Sequence, residues 1–98
     1  MVRTKRRKPV LARKLRQIRM AMGLSQNEMI RTMSLEASLL REEVSDFERN
    51  KRIPSLETVL AYARAAGISV EVLIDDHLKL PAKLPTKARS TARSKSGP

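Results

Sequence analysis

Apolar residues in this chain recur at spacings of three and four, with no run of the strict alternation a strand would show, so the pattern predicts helices only. Leu11, Leu15, Ile18 and Met22 share one face of a first helix over 10–22, and Gly23 supplies its stop. Ser25-Gln26-Asn27-Glu28 has the Ser-x-x-Glu form of a capping box, which starts a second helix at Gln26 and carries it to Met33, with Met29, Ile30 and Met33 inside. Residues 34–38 lack a period and read as a connection, with Ser38 as the next N-cap. A third helix over 39–49 has Leu40, Val44 and Phe47 as its seam, and at about 100° per residue Glu42, Asp46 and Arg49 fall opposite it. Pro54-Ser55 opens a fourth helix, with Leu56, Val59, Leu60 and Ala63 as its apolar side and Gly67 as its end. Ser69 caps a short fifth helix over 70–74.

Charge divides the chain into three parts. Residues 1–19 carry +9, residues 20–78 carry −4 and residues 79–98 carry +6, for a net +11 over 98 residues. The helical body, 10–78, therefore lies between a basic N-terminal arm, 1–9, and a basic tail, 79–98, whose Pro, Lys, Arg, Ser and Thr mixture offers little to bury and reads as disordered. Basic ends around a slightly acidic body suit a polyanion partner, nucleic acid above all.

Several other chemistries find little support. There is no Cys for a disulfide, a thiolate metal site or a nucleophile, which fits a reducing compartment. No apolar run is long enough for a membrane span or a signal-peptide core, so neither membrane nor export is expected. Asp75-Asp76-His77 invites a metal, but three adjacent residues lack ligand spacing, and none is expected. No nucleophile, base and orienting group come together, so the chain does not read as an enzyme, and nothing implies a cofactor or a small-molecule ligand. Tyr62 and Phe47 are the only Tyr and Phe, too few for a stacking platform on single strands. Met20, Met22, Met29 and Met33 read as core filler.

Two short helices around a tight connection suggest a helix-turn-helix, and the wording sharpens it. Arg19, Gly23-Leu24-Ser25-Gln26, Glu48-Arg49, Lys51, Pro54-Ser55 and Gly67-Ile68-Ser69 resemble the Cro/phage-repressor (XRE) family of DNA-binding domains over about residues 11–74. The resemblance implies an all-α, five-helix, lambda-repressor-like domain that binds double-stranded DNA as a sequence-specific transcriptional regulator. It implies base reading from Arg41, Glu42, Ser45 and Asp46 near the start of the third helix. Gln26 and Asn27 would meet phosphate at the start of the second, and Arg49, Lys51 and Arg52 would hold the flanking backbone. Arg3, Lys5, Arg6, Arg7 and Lys8 would reach along the duplex or into its minor groove. Arg19 and Glu48 would form a half-buried salt bridge between the first and third helices. This chain departs from the family pattern by about four extra residues, placed at 34–39, and by Asn50 where Gly is common; Asn accepts the left-handed turn needed there.

The acid on the third helix is open to two readings. Glu42, Glu43 and Asp46 either favour the helix dipole and pair locally, or meet cytosine N4 and repel phosphate where no base donor waits. An acidic helix also suits a protein partner, so the alternative function is an interaction module, an antitoxin or accessory subunit reusing the fold. A third is an architectural protein that binds without sequence preference. Val70, Val72, Leu73 and Ile74 give the fifth helix more apolar side chains than one face needs, which predicts a weak homodimer there. The expected location is cytoplasmic, on the nucleoid.

Overall fold

The computed structural model describes residues 8–85 and holds five helices. They are α1 (Pro9–Met22), α2 (Gln26–Thr32), α3 (Arg41–Glu48), α4 (Leu56–Ala66) and α5 (Val70–Ile74), and there is no strand among the described residues. Pro9 takes the first position of α1, where its missing N–H costs nothing. Both arms of the expected capping box form at α2: Ser25 Oγ accepts from the Glu28 N–H at 3.1 Å, and Glu28 Oε1 accepts from the Ser25 N–H at 2.7 Å. Ser55 Oγ likewise accepts from the Thr58 N–H at 3.2 Å and starts α4. Ser69 holds the N-cap position of α5 without a side-chain hydrogen bond.

Helices α1 to α4 close in the same way. One left-handed residue follows each, at Gly23, Ser34, Asn50 and Gly67, with φ of 71°, 60°, 59° and 76°. The next N–H reaches back five residues to a helix carbonyl, as in Leu24 to Arg19 and Leu35 to Ile30. Asn50 was expected to turn this way; Ser34, with a Cβ and no amide, was not. Such a turn seats an apolar residue just beyond the helix, and Leu24, Leu35 and Ile68 are indeed half-buried against the core. After α3 the corresponding residue is Lys51, and it is exposed.

The core joins Leu11, Leu15, Ile18 and Met22 of α1 to Met29, Ile30, Met33, Leu39, Val44, Phe47, Val59, Tyr62, Ala63, Ala66 and Leu73. Here the structure corrects several expectations. Leu40 is 64% exposed: α3 starts at Arg41, Leu40 occupies the N-cap in extended geometry, and Leu39 turns inward in its place, so neither the Ser38 cap nor the Leu40 seam holds. On α4 Leu56 and Leu60 face out while Tyr62 and Ala66 join Val59 and Ala63 inside, rotating the buried side by about 60°. Met20 is exposed. Leu73 is fully buried and Val70 and Val72 half-buried, so the apolar side chains of α5 serve this core and only Ile74 stands open for the dimer expected there. Beyond α5, Leu80 and Leu84 lie half-buried against the core, which extends the ordered body past Leu78; the rest of the expected tail, 86–98, lies outside the described residues.

Candidate nucleic-acid interface

The α2–α3 unit is fixed to α1 by one charged cluster. Arg19 Nε donates to Glu48 Oε2 at 2.6 Å and Arg19 Nη2 to Glu48 Oε1 at 2.9 Å, a two-pronged pair. The third corner of the guanidinium, Nη1, donates to the Leu24 carbonyl at 2.9 Å, tying in the turn between α1 and α2. Gln26 Nε2 adds a donor to Glu48 Oε1 at 3.3 Å. Only 13% of the Arg19 side chain and 3% of the Glu48 side chain meet solvent, more burial than the half expected. The hydrogen bond to Glu48 raises the Arg19 pKa further, against the opposing effect of burial. The Tyr62 hydroxyl is also buried and has no hydrogen-bond partner among the described residues. Burial, and then the Glu48 charge, push its pKa up, with Arg19 opposing.

This clamp fixes which side of α3 faces out. Arg41 and Glu42 are exposed at its start, and Ser45 and Asp46 are half-exposed one turn on. Arg49, Lys51 and Arg52 follow, all exposed. The acid is mostly engaged within the protein. Glu43 Oε1 accepts from the Leu40 N–H at 2.9 Å and so caps α3, while its Oε2 lies 3.9 Å from Arg52. Asp46 lies 3.8 Å from both Arg49 and Arg52. These open pairs contribute about 0–1 kcal/mol each, but they orient two arginines beside α3. Glu42 has no such partner among the described residues.

Of the expected phosphate contacts at α2, Asn27 is exposed and Gln26 half-exposed with its amide shared with Glu48; the amide has two N–H groups, so one remains. Lys8 is the one arm residue within the described range; Arg3, Lys5, Arg6 and Arg7 lie outside it. The Lys8 N–H donates to Asn50 Oδ1 at 2.9 Å, so the basic arm leaves the domain at the end of α3. Sequence reasoning took Asn50 for a turn residue and missed this second task. It also missed Lys14, which is 5% exposed and donates Nζ to the Val72 and Asp75 carbonyls at 2.7 and 3.0 Å, closing the end of α5. His77 and Asp75 pair with each other at a surface end, where the His77 N–H holds the Asp75 carboxyl below its usual range. No grouping of side chains suited to a metal occurs among the described residues.

A family model described as helix-turn-helix matches residues 15–73, more than half of the chain and the whole span from the middle of α1 through Leu73 of α5. The chain belongs to the helix-turn-helix family, of the Cro (XRE) type. Comparison with curated proteins and with solved structures gave no match. This is a family of DNA-binding regulators rather than of enzymes. In this helix-turn-helix protein the connection from α2 to α3 runs over 33–40, with a left-handed Ser34 and with Leu35 and Leu39 turned inward. None of the helices is long and apolar enough to cross a membrane.

Proposed function

We propose that this helix-turn-helix protein is a sequence-specific transcriptional regulator that lays α3 in the major groove of double-stranded DNA. The observation that carries the reading is the exposed start of α3, held in one orientation by the Arg19–Glu48 pair and bordered by the cations at Arg49, Lys51 and Arg52. Arg41 is the residue with the reach and donors for guanine, and Ser45 and Asp46 sit one turn further along the same side. Glu42, a carboxylate without a partner among the described residues, accepts from cytosine N4 or repels phosphate where no base donor meets it. Gln26, Asn27, Arg49, Lys51 and Arg52 hold the backbone on either side, and Arg3, Lys5, Arg6, Arg7 and Lys8 extend the grip from Asn50 outward.

An α-helix fits the major groove, and phosphate contacts set its register while base contacts choose the sequence. The exposed Lys51, standing where the other three helix ends place an apolar residue, supports a phosphate-facing role for that turn. The protein would then act on chromosomal DNA in the cytoplasm, at the nucleoid. Selection of bound duplexes from a random pool tests the reading. Enrichment of one defined sequence supports it; retention of all sequences alike leaves an architectural role, and no retention leaves a protein-binding role.

A further inference from the structure

Three large apolar side chains stand open to solvent close together in the chain: Ile53 at 41%, Leu56 at 78% and Leu60 at 36%. Leu56 is the most exposed large apolar residue described. With Leu56 at 0° on a helical wheel, Leu60 falls at about 40°, Arg64 at about 80° and Glu57 at about 100°, so the four form one stripe along α4. Val59, Tyr62, Ala63 and Ala66 occupy the other side, in the core. Both Glu57 and Arg64 are exposed, and neither has an ion pair or side-chain hydrogen bond among the described residues. They flank Leu60, with Leu56 just before Glu57 at the start of the helix. Seven residues apart, they are about 10 Å apart along the axis, too far to meet each other.

A stripe with acid before Leu60 and base after it is complementary to itself when reversed. We propose that α4 pairs antiparallel with α4 of a second copy of this chain, about a two-fold axis beside Leu60. Leu60 then meets the partner's Leu60, and Glu57 meets the partner's Arg64 while Arg64 meets the partner's Glu57. A symmetric dimer requires such a surface, because the same patch must serve both sides. An unrelated partner would have no reason to find opposite charges three residues before and four residues after Leu60. Ile53 directly follows Arg52 and widens the apolar area towards α3, so the dimer relates two copies of the segment proposed to meet DNA. This pairing replaces the one expected through α5, whose Leu73 is committed to the core. It does not depend on the DNA reading.

Sedimentation equilibrium of the full chain without DNA tests it. The parent is expected to show a reversible monomer–dimer equilibrium, and Leu56→Lys to raise the dimer dissociation constant about tenfold or more, since each substitution acts twice in a symmetric interface. Glu57→Arg and Arg64→Glu are each expected to weaken the dimer, and the double exchange to restore it towards the parent value. Far-ultraviolet circular dichroism shows in each case whether the variant remains folded. A parent that stays monomeric at its solubility limit, a dimer untouched by Leu56→Lys, or a double exchange no tighter than the single ones would each overturn the proposal.

Discussion

Replacing Glu48 by Ala removes both acceptors of the Arg19 guanidinium and the partner of Gln26, and leaves Arg19 only the Leu24 carbonyl. Breaking a buried pair from one side costs about 3–5 kcal/mol, because the remaining charge stays desolvated. Arg19 retains some solvent contact, 13% of its side chain, so Glu48→Ala is expected near the lower end, about 3 kcal/mol. Arg19→Met strands a carboxylate with 3% exposure and one neutral donor, so its cost is expected nearer 4 kcal/mol. The double variant Arg19→Met with Glu48→Leu strands neither charge, and is expected to cost less than either single change. Urea denaturation at neutral pH, followed by far-ultraviolet circular dichroism, measures all three. Single losses that simply add in the double variant would make the pair's closeness energetically idle and refute this coupling. Against a total stability of about 5–15 kcal/mol the single losses are large enough to read without ambiguity.

Three further outcomes are expected. The Tyr62 hydroxyl has no hydrogen-bond partner among the described residues and its pKa is raised above the ordinary 10.0, so the folded state keeps a proton that the unfolded chain releases above pH 10. Stability should therefore fall above that pH by up to about 1.4 kcal/mol per unit from this group, and Tyr62→Phe should lack that share of the slope while losing nothing at neutral pH; equal alkaline slopes in urea titrations would contradict it. Lys14→Met leaves the Val72 and Asp75 carbonyls without their donor and is expected to cost about 1–3 kcal/mol by the same denaturation, an unchanged midpoint arguing that other groups serve them. Deleting residues 1–7 should flatten the plot of log affinity against log salt by about 0.9 for each phosphate that the arm neutralises, and an unchanged slope would mean that the arm does not touch the duplex.

What the sequence disclosed here was mostly local. A capping box at Ser25 and Glu28, a glycine at 23 and 67 and an asparagine at 50 each act within a few residues, and all of these positions are found in the structure as read. The errors arose where distant packing decides. Periodicity counted Leu40 with Val44 and Phe47, but the helix begins at Arg41 rather than at residue 39, so Leu40 sits in extended geometry off the helical phase and Leu39 fills the core instead. Spacing placed Leu56 and Leu60 inside with Val59 and Ala63, yet the broad ring of Tyr62 with Ala63 and Ala66 fits α4 against α1 and α5. Lys14 was legible and missed: it lies three residues after Leu11 and four before Ile18, squarely on the apolar side of α1, where a lysine requires a partner. The charged pair of Arg19 and Glu48 was reached through family resemblance, with helical phase putting both near their seams; the hydrogen bond from Lys8 to Asn50 spans 42 residues and has no counterpart in any local pattern.

The central claim is that the exposed start of α3 reads base edges, and the most direct measurement compares the duplex sequences selected from a random pool by the parent and by Arg41→Ala. The parent is expected to enrich one defined sequence, and the variant to enrich the same sequence with the preference relaxed at one guanine position, a loss of about 1–3 kcal/mol of discrimination there. An identical consensus at unchanged strength from both proteins, or a uniform weakening across all sequences, would show that Arg41 does not read a base and that α3 does not lie in the groove as described.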